Sequence, residues 1–520
     1  MQFSGLSVRS QVARNSAGHG GRRIALAALC TLLFLTFLDN TVVSVALGDI
    51  QTSLKAGVGD LQWVVGGYAL SFASLMLACG MIGDELGRKI VMLTGAGVFC
   101  AGSVLCALAP NPAVLIAGRV VMGMGAAASE PGTLSMLRHI FTDERQRTRA
   151  VGVWAATTGL ALAAGPVIGG AITGAWSWRG IFWFNLFFGL AALITAAIVL
   201  PESSDPAAAR VDTAGTFLGA GALALLIFAI IHAETTGFGS ALVIGFLCGA
   251  AVLAVVFIWW ELRVPYPLLD PRYFRIPGFG VANVVAACTY FATFAIFFFT
   301  ALYLNEVSNS SGYRLAAVFA PMAVVMIIAS ALTGMWTAHT GPRWPVTIGC
   351  ALLAGGLLLA APSLNPHPDY VPLAVALAVA GAGIGITIVP ITSSVLSAVP
   401  AERSGMAASA ANTSREIGAV TGAAVLGALV YGQLTTSLTH RFVQLGVPLA
   451  FRGLVQNALE TGQIPQNTSQ YSSFGALVQE VINAAYSSFG DGLRDALYLS
   501  AALVVAAGIL AATVLGRKTT

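Results

Sequence analysis

The decapeptide GMIGDELGRK at residues 80–89 joins two long apolar runs, and it returns in altered form as GMWTAHTGPR at residues 334–343. Both copies keep the leading Gly-Met pair, a glycine at the eighth position and a basic residue at the tenth. A second echo pairs GMG at 123–125, followed by Pro131, with GIG at 383–385, followed by Pro390. The sequence therefore predicts two related halves, with apolar runs one to six corresponding to runs nine to fourteen.

Composition indicates that these halves fold in a lipid bilayer. The 520 residues are 57% hydrophobic and only 9% charged, which is far from the average of soluble proteins. Apolar runs of about 20 residues, enough to cross a bilayer core, follow one another along the chain. We predict fourteen spans, near residues 24–47, 60–82, 90–109, 113–137, 150–173, 180–201, 212–232, 240–261, 280–304, 315–337, 344–362, 371–399, 409–432 and 492–515.

Charge sets the predicted orientation. Most of the 26 Lys and Arg residues lie in the segments on the side of the N terminus, and cytoplasmic loops carry such an excess. Both termini are therefore expected in the cytoplasm. The predicted domains are a basic N-terminus (1–23), a six-helix bundle (24–201), an inserted helix pair (202–279), a second six-helix bundle (280–515) with a long outer loop (433–491), and a short tail (516–520).

This architecture narrows the function. Two repeats that face each other across a central site are typical of secondary transporters. The dipeptide Gly-Lys is absent from the chain, so the sequence holds no phosphate-binding loop for ATP. The net charge of +4 is small for this length and does not favour a nucleic-acid partner. No metal cluster or catalytic constellation is apparent, so we expect neither an enzyme nor a metal site.

Four motifs resemble those of the fourteen-span drug:proton antiporter family of the major facilitator superfamily. They are LDNTVVSVAL at 38–47 with QWVV at 62–65, the loop 80–89, RVVMGMG at 119–125, and GPVIGG at 165–170. The resemblance covers nearly the whole chain. It implies a major-facilitator fold of two six-helix bundles with a central inserted pair, and an antiporter in the bacterial cytoplasmic membrane. It also implies a proton gradient in place of a cofactor, and a monomer that handles a small amphipathic or cationic substrate.

Ionisable residues inside spans are the candidate coupling groups, because a carboxylate in hydrocarbon costs about 3 kcal/mol or more. At about 1.5 Å per residue, Asp39 lies roughly 13 Å and Arg119 roughly 9 Å from the outer ends of spans one and four, so the two are plausible partners. An adjacent arginine would keep Asp39 ionised, whereas burial alone favours its neutral form, so either a proton or a cationic substrate that binds Asp39 could change the balance of the pair. A static ion pair is the alternative. Glu130, beside Pro131, is a candidate for proton or cation binding or for a structural role.

The remaining candidates concern gating. Asp84, Gly87 and Arg88, with Gly80, are predicted to latch one half against the other in the outward-facing state. The family resemblance implies a hinge in span five, although its glycines could also serve only close helix packing. The neighbours Arg415 and Glu416 point in different directions on span thirteen and could serve gating or packing. The candidate hinge residues are Gly165, Pro166, Gly169 and Gly170.

The sequence thus predicts a proton-coupled antiporter that exports amphipathic drugs, antibiotics or secondary metabolites. Two alternatives remain open at this stage. One is an uptake symporter for a small organic solute, and the other is a membrane sensor that transports nothing.

Overall fold

A computed structural model of the chain describes residues 19–203, 212–265, 267–306, 312–364, 369–400, 403–444 and 475–515. Within these residues the chain forms fourteen long helices and no strand. They are α1 (His19–Leu54), α2 (Val58–Leu86), α3 (Arg88–Ala107), α4 (Pro112–Ile140), α5 (Glu144–Ala175), α6 (Arg179–Val199), α7 (Thr213–Thr236), α8 (Ala241–Glu261), α9 (Pro277–Phe294, continued by a π-helical turn, Ala295–Thr300, and a last turn, Ala301–Glu306), α10 (Gly312–Thr340), α11 (Arg343–Ala360), α12 (Tyr370–Ser397), α13 (Ser404–Gln444) and α14 (Gly475–Val514).

The helices begin where side chains can satisfy their free amide groups. Asn111 precedes α4, accepts a hydrogen bond from the Val114 amide at 3.0 Å, and is followed by proline at the first helical position. Asp143 and Asp212 cap α5 and α7 in the same way. Tight turns at Gly87 (φ +115°) and Gly341 (φ +76°), which occupy equivalent places in the two copies of the repeat, separate α2 from α3 and α10 from α11.

Twelve of the helices in the described residues are long and apolar enough to cross a membrane, so the chain is an all-α membrane protein. The two others are α5, which begins with a strongly charged turn, and α13, which is rich in Ser and Thr. Both lie between other helices, where polar side chains need not face lipid. The count of fourteen spans stays a prediction with which the fourteen helices agree. The predicted outer loop 433–491 is partly helical, since α13 runs to Gln444 and α14 begins at Gly475; residues 445–474 lie outside the described part.

The two halves repeat the same close helix contacts. A Cβ atom on Gly125 of α4 would lie 2.3 Å from the Phe99 amide nitrogen of α3, and one on Gly383 of α12 would lie 2.3 Å from the Leu353 amide nitrogen of α11. Gly123 and Gly381 likewise face α2 and α10. The matching pairs are therefore 123–125 and 381–383. The sequence-based pairing of 123–125 with 383–385 was wrong by two residues. Glycines recur at 381, 383 and 385, so the same spacing fits either alignment.

Most contacts between the halves come from two helix pairs, with smaller contributions from α4 against α13 and α5 against α12. On one side α2 packs against α13, and on the other α5 packs against α10. The inserted helix α7 lies against both α2 and α13, through Ile227, Ile230 and Ile231, while α8 packs mainly on α7. Because α1 begins and α14 ends on the same end of the bundle, we call that end the N-terminal face.

We expect Gly125→Ala to lower the free energy of unfolding by about 1–3 kcal/mol, since its methyl group meets main-chain atoms of α3 that cannot turn aside. Denaturant unfolding of the detergent-solubilised protein measures the change. Gly245→Ala on α8 is the matched control, because no atom lies within 4 Å of its added methyl group. Equal unfolding midpoints for the two variants would contradict the packing described here.

Candidate functional site

A buried ion pair lies within the first half. Asp39 on α1 and Arg119 on α4 form a salt bridge through Oδ2 and Nη1, and both side chains are almost wholly inaccessible. The other oxygen of Asp39, Oδ1, accepts a hydrogen bond from Asn185 Nδ2 on α6 at 2.7 Å. The structure therefore brings together the two residues whose depths made them plausible partners, and adds an amide from a third helix.

Two further contacts fix the arginine. Its Nε donates to the Val64 carbonyl of α2 at 2.9 Å, and its guanidinium carbon lies 4.5 Å from the centre of the Tyr68 ring. The Tyr68 hydroxyl donates to the Thr36 carbonyl at 3.3 Å. Four helices of one half thus hold the pair, so a change in the charge of Asp39 acts on all of them. Asn185 was missed from the sequence, although a lone amide within the aromatic run of span six was a usable signal.

A second buried carboxylate lies between the halves. Glu130 on α4 is 1% exposed, and neither of its carboxylate oxygens has a hydrogen-bond partner in the described residues. The carbonyl of Glu130 accepts from Thr133 Oγ1 at 2.7 Å, and Thr133 Oγ1 accepts from Trp154 Nε1 of α5 at 3.0 Å. The backbone around Glu130 is therefore fixed by hydrogen bonds, while its charged end is left without a partner.

Arg415 and Glu416 on α13 are the charged groups that act on Glu130, the first by attraction and the second by repulsion. Arg415 donates to Asn412 Oδ1 at 2.8 Å and to Thr392 Oγ1 of α12. Its guanidinium carbon lies 5.3 Å from the Trp154 ring centre and 5.6 Å from that of Tyr290 on α9. The Arg415 guanidinium is thus within electrostatic range of two carboxylates, at a place where both halves contribute aromatic rings.

Other polar atoms around this cluster also lack partners. Among the described residues, the hydroxyl groups of Tyr290, Ser409 and Thr413 and the amide nitrogen of Asn412 are buried without a hydrogen bond. Buried polar groups are seldom left unpaired, and sites that bind a ligand are one place where this occurs. Tyr68 lies within electrostatic range of Glu130 and Glu416 as well as Asp39 and Arg119, so the two clusters are neighbours.

The residues of the predicted latch meet at the N-terminal face. Arg88 Nη2 lies 2.8 Å from Asp84 Oδ1, and Arg88 also donates to Ser203 Oγ at 3.1 Å and to Ser404 Oγ at 3.0 Å. The Asp84 carboxylate accepts from the backbone amides of Gly405 and Met406, at the first turn of α13. A carboxylate at a helix N-terminus is stabilised by the helix dipole. Gly80, one turn earlier, lets α2 approach Ser409 closely.

Arg138 forms a second contact between the halves at this face, and the sequence interpretation missed it. Its guanidinium donates to the carbonyl groups of Leu396, Val399 and Pro400, where α12 ends. A cation at a helix C-terminus complements the dipole, as Asp84 does at the start of α13. In this structure the halves are therefore joined at the N-terminal face. Nothing in the sequence around Arg138 distinguishes it from an ordinary basic loop residue. The partners of Arg88, Ser203 and Ser404, were also not predicted, although both lie just outside predicted spans.

The predicted hinge residues lie on α5 against α1, close to Asp39. A Cβ atom on Gly165 would lie 1.9 Å from Thr41 Oγ1, and one on Gly169 would lie 2.9 Å from the Val42 carbonyl. Gly170 follows in the same helix, as does the backbone of Pro166, whose side chain lies outside the described part. The glycines therefore allow α5 to pack closely on α1, which is the alternative to a hinge given in the sequence analysis. Bending of α5 stays a prediction.

Comparison with known proteins agrees with this arrangement. The family described as the Major Facilitator Superfamily matches residues 29–423. The multidrug resistance protein Stp of Mycobacterium tuberculosis is 31% identical over 90% of this chain and 88% of its own length. The methylenomycin A resistance protein of Streptomyces coelicolor is 33% identical over 84% of this chain and 93% of its own.

Solved structures show the same fold. A bacterial homologue of the human lysosomal transporter Spinster, in an inward-facing and unoccupied conformation, aligns with a TM-score of 0.61 and 17% identity over 96% of this chain and 97% of its own. The human organic anion transporter MFSD10 aligns equally well, with a TM-score of 0.61, 13% identity, and coverage of 94% and 99%. With its repeated halves, its buried charges and these relatives, the chain belongs to the major facilitator superfamily.

Proposed function

We propose that the chain is a proton-coupled antiporter that exports amphipathic, cationic drugs or secondary metabolites across the cytoplasmic membrane of a bacterium. The transport class follows from the family, and export is supported by relatives named for multidrug resistance and for methylenomycin A resistance. The observation that carries the cation preference is the carboxylate of Glu130, which is buried without a hydrogen-bond partner among the described residues. It lies near Arg415, whose guanidinium packs on the Trp154 and Tyr290 rings. Both termini lie in the cytoplasm, the protein works as a monomer, and the proton gradient replaces any cofactor.

Cargo binds where the halves meet. A cationic group takes the place of a proton beside Glu130, and an apolar ring of the cargo packs on Trp154 or Tyr290. The buried hydroxyl groups of Tyr290 and Thr413 supply hydrogen bonds to polar atoms of the cargo. Arg415 offsets part of the negative charge of the site, since it attracts both Glu130 and Glu416.

Protons act at the neighbouring pair. When Asp39 takes up a proton from the outer side, its attraction to Arg119 falls, and the guanidinium is free to turn within the four helices that hold it. Movement of the Arg119 guanidinium alters how α1 and α4 face the second half. The contacts of Asp84 and Arg138 at the N-terminal face then break, and the site opens toward the cytoplasm. Cargo binding at Glu130 completes the exchange, and proton release on the inside restores the ion pair.

Everted membrane vesicles with an imposed pH gradient test this proposal. We expect the wild-type chain to accumulate ethidium inside such vesicles, and a protonophore to abolish the uptake. Glu130→Gln should lower the ethidium rate about tenfold, because a charge-assisted contact is lost, and Glu130→Asp, which keeps the charge, should retain most of it.

Two results would count against the proposal in different ways. Uptake that persists with the protonophore would rule out proton antiport. Equal ethidium rates for Glu130→Gln and the wild type would remove Glu130 from the cargo site and leave antiport standing.

A further inference from the structure

A polar pocket of about 330 Å³ lies at the N-terminal face, away from the buried clusters. It is formed by the end of α8 with the loop that follows, the short 3-10 helix Pro271–Arg275, and the residue before α13. Its charged lining residues are Arg263, Arg272, Arg403, Glu261 and Asp270. Three guanidinium groups against two carboxylates give the pocket an excess of one positive charge.

The positive groups are available for a ligand. Arg263 and Arg272 are exposed, and neither guanidinium makes a hydrogen bond or an ion pair within the part of the chain that the structure describes. Arg263 stacks on the Trp259 ring, with its guanidinium carbon 3.9 Å from the ring centre, which fixes its position without using its N–H donors. The contact between Arg403 and Asp270 is long, at 3.9 Å.

The negative wall can accept hydrogen bonds from hydroxyl groups. Glu261 is 2% exposed, and its Oε2 accepts from the Leu269 amide at 3.0 Å, whereas its Oε1 is buried without a partner among the described residues. Asp270 accepts from the Arg272 amide through Oδ1. A ligand that carries both a phosphate and neighbouring hydroxyl groups therefore matches both sides of the pocket, whereas a bare phosphate matches only the arginine side.

The position of the pocket indicates the source of such a ligand. The preceding helix, α8, exposes an apolar face toward the bilayer, with Val252, Val255 and Ile258 among its exposed residues. Trp259 is half exposed at the end of that face, and Phe274 is exposed beside the pocket. Aromatic residues concentrate at the level of lipid headgroups, and basic pockets between membrane helices bind anionic headgroups. The pocket thus opens where a lipid headgroup would lie.

We propose that this pocket binds the phosphoglycerol headgroup of an anionic phospholipid, with the phosphate on Arg263 and Arg272 and the glycerol hydroxyl groups on Glu261 and Asp270. Arg403 joins this site to the latch, because the next residue, Ser404, accepts a hydrogen bond from Arg88. A bound lipid therefore steadies the first turn of α13, the turn that receives Asp84. This proposal does not depend on the cargo or on the direction of transport.

Binding to the full, purified chain tests it. Native mass spectrometry would measure the dissociation constants of dioctanoyl phosphatidylglycerol, dioctanoyl phosphatidylcholine and glycerol 3-phosphate. We expect the phosphatidylglycerol to bind most tightly. The double variant Arg263→Gln/Arg272→Gln should weaken its binding roughly thirtyfold, since each basic side chain contributes about a factor of five near an anionic lipid.

Arg275→Gln is the matched control, because Arg275 is an exposed arginine on the same 3-10 helix that does not line the pocket. It should leave the binding constant unchanged. Equal binding of the two lipids to the wild type, or unchanged phosphatidylglycerol binding in the double variant, would overturn the proposal. Glycerol 3-phosphate that binds as tightly as the lipid would reject the membrane as the source and identify a soluble phosphate ester as the occupant.

Discussion

Asp39→Asn is expected to abolish export driven by a pH gradient in a protein that still folds, at a cost in stability because the buried guanidinium of Arg119 loses its counterion. The asparagine keeps the shape of the aspartate and can still accept from Arg119. Its new amide group would face Asn185 Nδ2, which is also a donor, and a turn of the Asn185 amide would bring the unpartnered Oδ1 into place to accept from it. The variant therefore loses a protonatable group but few contacts, so coupling is removed while cargo binding at Glu130 remains.

Two assays on the same vesicles separate these effects. Uptake of ethidium against its gradient should fall to the level of vesicles that lack the protein, whereas exchange of ethidium down its own gradient should persist. Asp49→Asn is the matched control, because Asp49 is an exposed carboxylate on the same helix. Full uphill transport by Asp39→Asn would show that the proton is taken up elsewhere, with Glu130 or Glu416 as the next candidates.

Removing the other member of the pair should destabilise the fold more strongly, because Arg119 also contacts Val64 and Tyr68. Arg119→Met replaces the guanidinium with an apolar chain and leaves the Asp39 carboxylate buried with only the Asn185 amide to stabilise it. Breaking a buried ion pair from one side typically costs about 3–5 kcal/mol, because an uncompensated charge remains. The Val64 carbonyl also loses its donor. We expect a fall of this size in the free energy of unfolding, measured by denaturant titration in detergent.

The double variant Asp39→Asn/Arg119→Met provides the control for that measurement. With both charges removed, most of the lost stability should return, although transport against the gradient should not. A double variant no more stable than Arg119→Met alone would mean that the loss comes from packing around the arginine and that the charge on Asp39 contributes little.

The sequence was informative where physical constraints act locally. Apolar runs of a fixed length give the helices, and the repeat of Gly87 at Gly341 gives the two halves, because both turns need a positive φ. The pairing of Asp39 with Arg119 was also accessible, because depth along a membrane helix can be counted from its ends. The second repeat was placed two residues out of register, since glycines that recur along a helix allow more than one alignment.

Contacts between side chains that are far apart in the sequence could not be predicted. Glu130 comes within electrostatic range of Arg415 and Glu416 only because α4 and α13 face each other, and no spacing in the sequence encodes that arrangement. Arg138 was read as one of many basic residues that fix orientation, yet it binds three carbonyl groups of the opposite half. Such contacts depend on the crossing of helices, which one sequence does not specify.

The place of α7 has a consequence for cargo dissolved in the bilayer. Two lateral seams separate the halves, one beside α2 and α13 and the other beside α5 and α10. The isoleucines of α7 cover the first seam, and their branched side chains leave no polar group to guide a cation through it. For an amphipathic molecule that leaves the inner leaflet sideways, this apolar cover favours entry at the other seam, beside α5 and α10. The inserted pair thus makes the two lipid-facing sides of the protein different, although the two halves are related by a near two-fold axis.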